Sequence, residues 1–311
     1  MKIGLYNLEP QYTNLALEKI RVYYQTHKHT VEYMTPFEAT AYDAVYCSSL
    51  FNWTNKRYIQ PNMIKGGTGF YTWDKETQTY KIPSDIRLQL PPEIDAIEPH
   101  INEGFTTRGC PNKCPFCVVN IKEGGVKVVG DVLSLWDGKS KFITCYDNNV
   151  LAVPEQLLIN AEQARTYKLS LDYNQGLDHR KLTPEIIDIT KTYKHPELHF
   201  AFDSPSLIGT VEKSIDMLQS KGITRSTWYV LCGFNTTLKE DLFRLNYLKS
   251  RNQNAFVQKF KELNKKPDPM YTPLARWANQ HNIFQGMTWE QFLKHQTNKK
   301  YAYLLNNNQE I

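Results

Sequence analysis

Three cysteines within one eight-residue stretch of this 311-residue chain have the spacing of residues that bind a metal together. Cys110, Cys114 and Cys117 follow the pattern C-x3-C-x2-C, and a loop this short can fold back so that the three thiols meet. A closed structural zinc site or an ordinary ferredoxin cluster has four protein ligands. Three thiolates would leave one iron of a cluster open to a small molecule, so the number of cysteines favours a reactive metal centre.

The spacing, with an aromatic residue directly before the last cysteine, resembles the motif of the radical S-adenosylmethionine (SAM) superfamily. The resemblance implies that Cys110, Cys114 and Cys117 bind a [4Fe-4S] cluster, that SAM chelates the fourth iron, and that Phe116 lies near the adenine. It also implies the chemistry. An electron from the reduced cluster would break the sulfonium C–S bond and yield a 5′-deoxyadenosyl radical.

Two other interpretations of the cysteines remain open. A zinc loop could take a distant fourth ligand, such as Cys145 or a histidine, although zinc sites usually pair cysteines in two knuckles. A disulfide framework fits less well, because six cysteines are sparse for this length and no apolar stretch typical of a secretory signal follows Met1. The apolar runs are far shorter than the ~18 residues of a membrane span. We therefore expect a cytoplasmic protein with reduced thiols.

Residues 1–95 are predicted to form a small Rossmann-like α/β domain. Three β-rich runs alternate with a helix that begins at Leu15 and has Asn14 as its N-cap, an order that predicts a parallel sheet. The runs span residues 2–6, 30–33 and 43–48. The stretch 66–69 predicts a turn, with a phosphate loop as the weaker alternative. The prolines at 91–92 are expected to mark a domain boundary.

The layout of this domain resembles the cobalamin-binding domain that precedes many radical SAM cores. In that family a histidine in an Asp-x-His-x-x-Gly loop after the first strand binds the cobalt. Residues 7–12 occupy the corresponding place and contain neither histidine nor glycine. The resemblance therefore implies the fold of a degenerate domain, and cobalamin is not expected as a cofactor. A methyltransferase that binds cobalamin without a protein histidine is the weakest alternative.

Residues 96–265 alternate β-rich runs and helices, a pattern that predicts a curved parallel sheet with an outer helical layer. A clear helix start is Thr183-Pro184, which combines a capping threonine with proline at the first helical position. The resemblance implies a partial (β/α)6 TIM-type barrel here, with six βα steps after the cysteine loop, and a C-terminal closing segment at 266–311. The strands with clear patterns are 142–146, 169–173, 198–202, 227–231 and 255–259, and helices are expected at 154–167, from 184, at 208–220 and from 237.

Ligands of parallel α/β barrels bind at the C-terminal ends of the strands, and this rule selects a set of polar residues and a glycine. The resemblance implies that the loop 146–149 replaces the Gly-Gly-Glu stretch that holds the SAM amino group. It also implies a polar contact for Gln175 and a charge-assisted pairing of Arg180 with the SAM carboxylate. The predicted cofactor-binding residues are Phe116, Asp147, Asn148, Asn149, Asn174, Gln175, Arg180, Asp203 and Gly233. Each could instead cap a strand or turn.

The net charge of +5 is concentrated towards the C-terminus, since residues 251–300 carry nine Lys or Arg against three Asp or Glu. A solvated basic surface explains this excess, with an anionic substrate such as RNA as the alternative. We expect a radical SAM enzyme that modifies a small molecule or RNA, receives its electron from a flavodoxin or ferredoxin, and has no membrane partner. A methyl- or methylthiotransferase, or a non-enzymatic iron–sulfur or zinc protein, are the alternatives.

Overall fold

The computed structural model describes residues 1–74, 76–87, 89–260, 269–295, 297–301 and 304, which form a mixed α/β fold built mainly from parallel sheets. The strands are β1 (Lys2–Asn7), β2 (Thr30–Tyr33), β3 (Ala44–Ser48), β4 (Ile64–Gly66), β5 (Thr72–Asp74), β6 (Thr79–Lys81), β7 (Ile86–Arg87), β8 (Glu103–Gly104), β9 (Thr107–Arg108), β10 (Lys127–Val128), β11 (Phe142–Cys145), β12 (Ser170–Asp172), β13 (His199–Ala201), β14 (Thr227–Cys232) and β15 (Asn254–Lys259). The α-helices are α1 (Leu15–Thr26), α2 (Pro92–Asp95), α3 (Val119–Lys122), α4 (Val132–Leu135), α5 (Pro154–Tyr167), α6 (Pro184–Thr190), α7 (Ile208–Ser220), α8 (Leu238–Ser250), α9 (Tyr271–Ala278), α10 (His281–Gly286) and α11 (Trp289–Lys294).

The N-terminal residues form a five-stranded parallel sheet in the order β2-β1-β3-β4-β7. The side chain of Asn14 accepts a hydrogen bond from the backbone N–H of Leu17 at 3.2 Å, so α1 begins where the sequence predicts. Leu17 and Ile20 of α1 pack with Ile3 and Leu5 of β1 in one buried cluster. The predicted parallel sheet with its first helix is confirmed.

The N-terminal sheet contains strands that the sequence pattern did not reveal. β4, β7 and the antiparallel hairpin β5–β6 lie within residues 64–87, where only a turn was predicted. These strands have two or three residues each, and glycine or charged residues interrupt the apolar pattern around them. The prolines at 91–92 do not form an open linker, because α2 starts there and its buried Ile94 packs in the same cluster as Ile3.

Six further parallel strands are divided into two three-stranded sheets, ordered β12-β11-β8 and β13-β14-β15. Two backbone contacts connect the sheets. Ser170 of β12 forms an isolated bridge with Lys194, which precedes β13, and Leu177 N, which follows β12, donates to His199 O of β13 at 2.7 Å. In the described part of the chain the strands do not close into a barrel. The α/β class is confirmed. Six βα steps were predicted after the cysteine loop, whereas the described residues have five parallel strands after it and one, the two-residue β8, before it.

The helices of this region begin where capping residues predict. Thr183 accepts from Ile186 N ahead of α6, and Thr237 forms a capping box with Glu240 ahead of α8. α5 and α7 have the predicted bounds. A single apolar core runs beneath the helices and both sheets, and Trp228 is fully buried in it.

The C-terminal helices α9 and α10 pack against the edge of β15, and α11 packs on α9. Trp277 of α9 is fully buried in the shared core. The side chain of Asn279 accepts a hydrogen bond from Val257 N at 2.7 Å and donates one to Val257 O at 3.3 Å. These bonds attach the end of α9 to the edge of β15 that faces away from β14. Residues 261–268, which carry part of the predicted closing segment, lie outside the described residues. Among the described residues, no helix combines the length and apolar character needed to cross a bilayer.

Candidate functional site

The cysteine loop follows β9 and is tied down at its start. Cys110 N donates to Gly124 O at 3.1 Å, and Gly109 N donates to Asn148 Oδ1 at 2.8 Å. Gly109 has φ +87°, and a Cβ there would lie 2.2 Å from Gly125 O. Only glycine permits this turn and this close approach, so the residue fixes the direction in which the loop leaves β9.

The three loop cysteines are free, half-buried thiols. Burial raises the pKa of Cys117 to about 11, and the negative charges of Cys114 and Cys110 add to the rise. Burial also raises the pKa of Cys114, an effect that the nearby Arg180 opposes. The three thiols therefore act on one another electrostatically. In the described ranges, however, no three His, Cys, Asp or Glu side chains are gathered as they would be around a bound metal ion.

A polar network joins the cysteine loop to the loops after β11 and β12. Asn149 Nδ2 donates to Cys110 Sγ at 3.4 Å and to Asp178 Oδ2 at 3.0 Å. Asn112 Nδ2 donates to the same carboxylate oxygen at 2.8 Å, and Arg180 Nε donates to Asp178 Oδ1 at 2.7 Å. Burial acts against ionisation of Asp178, but Arg180 and the two amides hold its pKa below the ordinary value.

Asp147 joins the end of β11 to the segment between β8 and β9. Its buried carboxylate accepts four hydrogen bonds, from the backbone N–H and the hydroxyl of both Thr106 and Thr107, at 2.6 to 3.1 Å. Burial raises the pKa of Asp147, and these donors oppose the rise. Asp147 and Asn148 thus position the cysteine loop, while Asn149 contacts a cysteine directly. Their predicted contacts with SAM remain predictions.

Asp203 and Gly233 lie at the ends of β13 and β14. Burial raises the pKa of Asp203 to about 6, although Leu231 N donates to its Oδ1 at 3.3 Å. The charge of Asp203 also raises the pKa of Cys114, so this carboxylate lies near the cysteine loop. Gly233 has φ +78°, and a Cβ there would lie 3.0 Å from the ring of Tyr271, so α9 approaches the end of β14 closely.

Five aromatic rings cover the side of the cysteine loop next to Cys117. Phe116 packs edge to face against Phe234 with ring centroids 5.4 Å apart, and Phe234 packs against Phe260 at 4.8 Å. Trp73 of the β5–β6 hairpin contacts both Phe234 and Phe260, at 5.8 and 5.5 Å. Tyr80 of the same hairpin donates its hydroxyl to Phe116 O at 3.3 Å. The sequence pattern did not predict this hairpin. No local pattern relates residue 73 to residue 260 either, so the contact between their rings could not be expected.

Asn174 and Gln175 line two cavities. The larger, of about 700 Å³, lies between the C-terminal edge of the N-terminal sheet and the loops after β8 and β11. The smaller, of about 300 Å³, is lined by residues of β13, β14 and β15, including His199 and Tyr229. Tyr229 donates its hydroxyl to Asn174 O at 2.7 Å, which holds the loop after β12 between the two spaces.

The other three cysteines are buried. Cys47, Cys145 and Cys232 are each at most 2% exposed. Burial raises the pKa of Cys145 well above the ordinary value of a thiol. Cys145 lies in the apolar core, which is a poor position for the fourth ligand of a zinc site.

Comparisons with known proteins do not assign the chain to a family. No family model matched it, and no significant match was found among the curated proteins.

Proposed function

We propose that the chain is a radical SAM enzyme whose [4Fe-4S] cluster is held by Cys110, Cys114 and Cys117. The main support is the C-x3-C-x2-C spacing of three free thiols, with Asn149 bonded to Cys110 and with Arg180 and Asp203 acting electrostatically on Cys114. This donor chemistry suits iron, because thiolates are the usual protein ligands of iron–sulfur clusters. Cluster assembly would draw the three sulfurs together on their short loop.

The surrounding residues have distinct roles in this proposal. Asn149 donates a hydrogen bond to a ligand sulfur, which tunes a cluster's reduction potential. Arg180, whose charge already acts on Cys114, would pair with the carboxylate of SAM. Gln175 would supply a polar contact from the loop after β12. Phe116 and the rings packed on it would exclude water from one side of the site.

When bound, the cluster and SAM would supply one-electron cleavage of the sulfonium C–S bond and hence a 5′-deoxyadenosyl radical for abstraction of a substrate hydrogen atom. The protein's contribution is to hold the ligands and to shield the site. The aromatic cover beside Cys117 serves the second purpose, since a site closed to water protects a reactive intermediate from side reactions.

We further propose that the two three-stranded sheets are the halves of a partial (β/α)6 TIM-type barrel. Two features support this arrangement. The hydrogen bond from Leu177 N to His199 O links the sheets in the expected strand order, and one apolar core runs beneath the helices of both. The proposed environment is the cytoplasm, with flavodoxin or ferredoxin as the electron donor and a small molecule as the substrate.

The experiment is anaerobic reconstitution with iron and sulfide, followed by reduction and addition of SAM. We expect four irons per chain, an EPR signal that changes when SAM is added, and release of 5′-deoxyadenosine. Replacing Cys110, Cys114 or Cys117 by serine should abolish both the signal and the product. A protein that retains four irons but shows neither a SAM-dependent EPR change nor 5′-deoxyadenosine would refute the proposal.

Cys145→Ala is the control that separates an enzyme from a metal-binding protein with a fourth cysteine ligand. Because Cys145 is fully buried in the core, its removal should leave the iron content unchanged. Loss of metal in Cys145→Ala, with normal folding by circular dichroism, would favour the non-enzymatic alternative.

A further inference from the structure

The 700 Å³ cavity lies where the strand order of the N-terminal sheet reverses. The connection from β1 through α1 leads to β2 on one side of β1, while β3 pairs with β1 on the other side. The loops after β1, β3 and β4 line the cavity. In open parallel α/β sheets, ligands bind in the crevice at this point, outside the carboxyl ends of the strands.

Hydrogen bonds within the protein hold the walls of the crevice in place without a ligand. Glu9 is buried, and its carboxylate accepts from Leu50 N at 3.0 Å, Phe51 N at 3.3 Å and Ser49 Oγ at 3.0 Å. This joins the loop after β1 to the loop after β3. Gly67, with φ +100°, packs so closely that a Cβ would lie 2.2 Å from Ser49 O, so the loop after β4 is held against the same point.

The size and the apolar walls of the cavity suit a ligand that carries a ring. Its volume is within the roughly 300–1,000 Å³ typical of small-molecule sites. Tyr12 and Phe51 pack edge to face at 5.5 Å on the N-terminal side, and Phe105 and Tyr146 line the opposite side. Flat aromatic side chains on two sides favour a planar heterocycle.

The charges of the lining leave one arginine available to an anion. Five lining residues are basic: Lys19, Lys65, Arg87, Arg108 and Lys122. Three are acidic, Asp95, Glu103 and Glu123, and Lys19 and Lys65 also pair with Glu98 and Asp85, which do not line the cavity. The acids already have donors, since Arg108 binds both Asp95 and Glu123, and the Tyr146 hydroxyl binds Glu103.

Arg87 is the basic residue best placed to bind an added anion. It follows Ile86 in β7, at the edge of the sheet beyond β4, and no acidic partner for it occurs among the described residues. Lys65, on the neighbouring strand, pairs with Asp85, a side chain that is itself 58% exposed. An arginine beside a lysine at one end of a crevice is a suitable site for a phosphate group.

We propose that this cavity binds a mononucleotide, with the base between the aromatic walls and the phosphate at Arg87. Asn148, Asn174 and Gln175 also line the cavity, so a bound nucleotide would extend towards the loops around the cysteine site. The binding site does not depend on the radical chemistry proposed above. No histidine lines the cavity among the described residues.

The test is calorimetric titration of the full-length protein with AMP, GMP, CMP and UMP, and with each nucleoside and inorganic phosphate alone. We expect at least one mononucleotide to bind with one-to-one stoichiometry. Its nucleoside and phosphate should each bind about tenfold more weakly or worse, because a charge-assisted bond to phosphate is lost in one case and the ring contacts in the other. Neither reduction nor SAM is needed, so failure here would leave the radical proposal untouched.

Arg87→Gln should weaken nucleotide binding about tenfold or more, by loss of one charge-assisted hydrogen bond. Ala16→Trp, which fills the crevice from α1, should abolish binding. The matched control is Arg57→Gln, an exposed arginine of the same region that does not line the cavity. The proposal is overturned if no mononucleotide binds at millimolar concentration, or if SAM displaces the nucleotide and Arg87→Gln has no effect. It is also overturned if hydroxocobalamin binds instead and Ala16→Trp abolishes that binding.

Discussion

The side-chain amide of Asn149 donates a hydrogen bond to the sulfur of Cys110 at 3.4 Å. The same nitrogen contacts Asp178 at 3.0 Å, so one buried amide connects the cysteine loop with the loop after β12. Within the described residues the Oδ1 atom of Asn149 has no hydrogen-bond partner. A buried acceptor of this kind is uncommon and is available to a ligand with a donor group.

Asn149→Ala should lower the reduction potential of the reconstituted cluster. A hydrogen bond to a ligand sulfur stabilises the more negatively charged reduced state. A bond worth about 1 kcal/mol corresponds to roughly 40 mV for a one-electron couple. The measurement is an EPR-monitored redox titration of the wild-type and variant proteins.

Asn112→Ala is the control for this prediction, because Asn112 donates to Asp178 and makes no hydrogen bond to a cysteine within the described residues. Its potential should stay near that of the wild type. Equal shifts in both variants would assign the effect to Asp178 rather than to the bond with sulfur.

Trp73→Ala should expose Cys117. Trp73 packs against Phe234, Phe260 and Tyr80, and an aromatic pair contributes about 0.5–1.5 kcal/mol beyond its buried area. Losing these contacts should raise the population of the opened hairpin, and with it the alkylation rate of Cys117, about tenfold. The rate is measured at constant pH by mass spectrometry of the reduced, metal-free protein treated with iodoacetamide.

Trp53→Ala provides the comparison, since Trp53 stacks on Phe51 at 4.7 Å on the N-terminal side of the large cavity. It should leave the Cys117 rate unchanged. An unchanged rate in Trp73→Ala as well would mean that the hairpin does not cover this thiol.

His179 should make the protein less stable in mild acid. Burial lowers its pKa to about 4, with Asp178 opposing and Arg180 reinforcing the shift. Since the folded pKa lies below the unfolded value of about 6.5, the contribution of neutral His179 is complete above that value and is lost as the pH falls towards 4. Between pH 7.5 and 5 the loss is roughly 2 kcal/mol in the free energy of unfolding.

Urea unfolding at the two pH values measures this loss. His179→Gln should remove most of the decrease, whereas the exposed His27→Gln should keep it. If both variants lose as much stability in acid as the wild type, other groups cause the acid sensitivity.

Arg244→Met should destabilise the fold severely. Arg244 and Asp241 form a fully buried ion pair, and the guanidinium also donates to Phe202 O at 2.6 Å and Leu231 O at 2.9 Å. Removing one partner leaves an unpaired buried charge, which costs about 3–5 kcal/mol. Urea unfolding measures the change.

The exposed pair of Lys294 and Glu290 offers a matched comparison on α11. Lys294→Met should change the free energy of unfolding by less than about 1 kcal/mol. A similar small effect for Arg244→Met would show that the buried pair is replaceable by apolar packing.

Much of the fold was predictable from local sequence. Asn14, Thr183 and Thr237 cap helices because a side-chain oxygen next to a helical run satisfies an otherwise unpaired N–H, an interaction between residues three positions apart. The five parallel strands after the cysteine loop were predicted because apolar residues run through or alternate along each of them. The spacing of the cysteines likewise depends on eight consecutive residues.

Tertiary structure alone decided what the side chains around the cysteines contact. Asp147, selected as a cofactor contact, accepts hydrogen bonds from Thr106 and Thr107, about forty positions earlier in the chain, which the sequence pattern did not predict. Trp73 reaches Phe260 through a hairpin too short to leave a sequence pattern. Local preferences act over a few residues, whereas these contacts follow from how separate sheets pack, and no rule of spacing encodes them. The sequence therefore determined the spacing of the three cysteines, and the packing of the sheets determined which residues surround them.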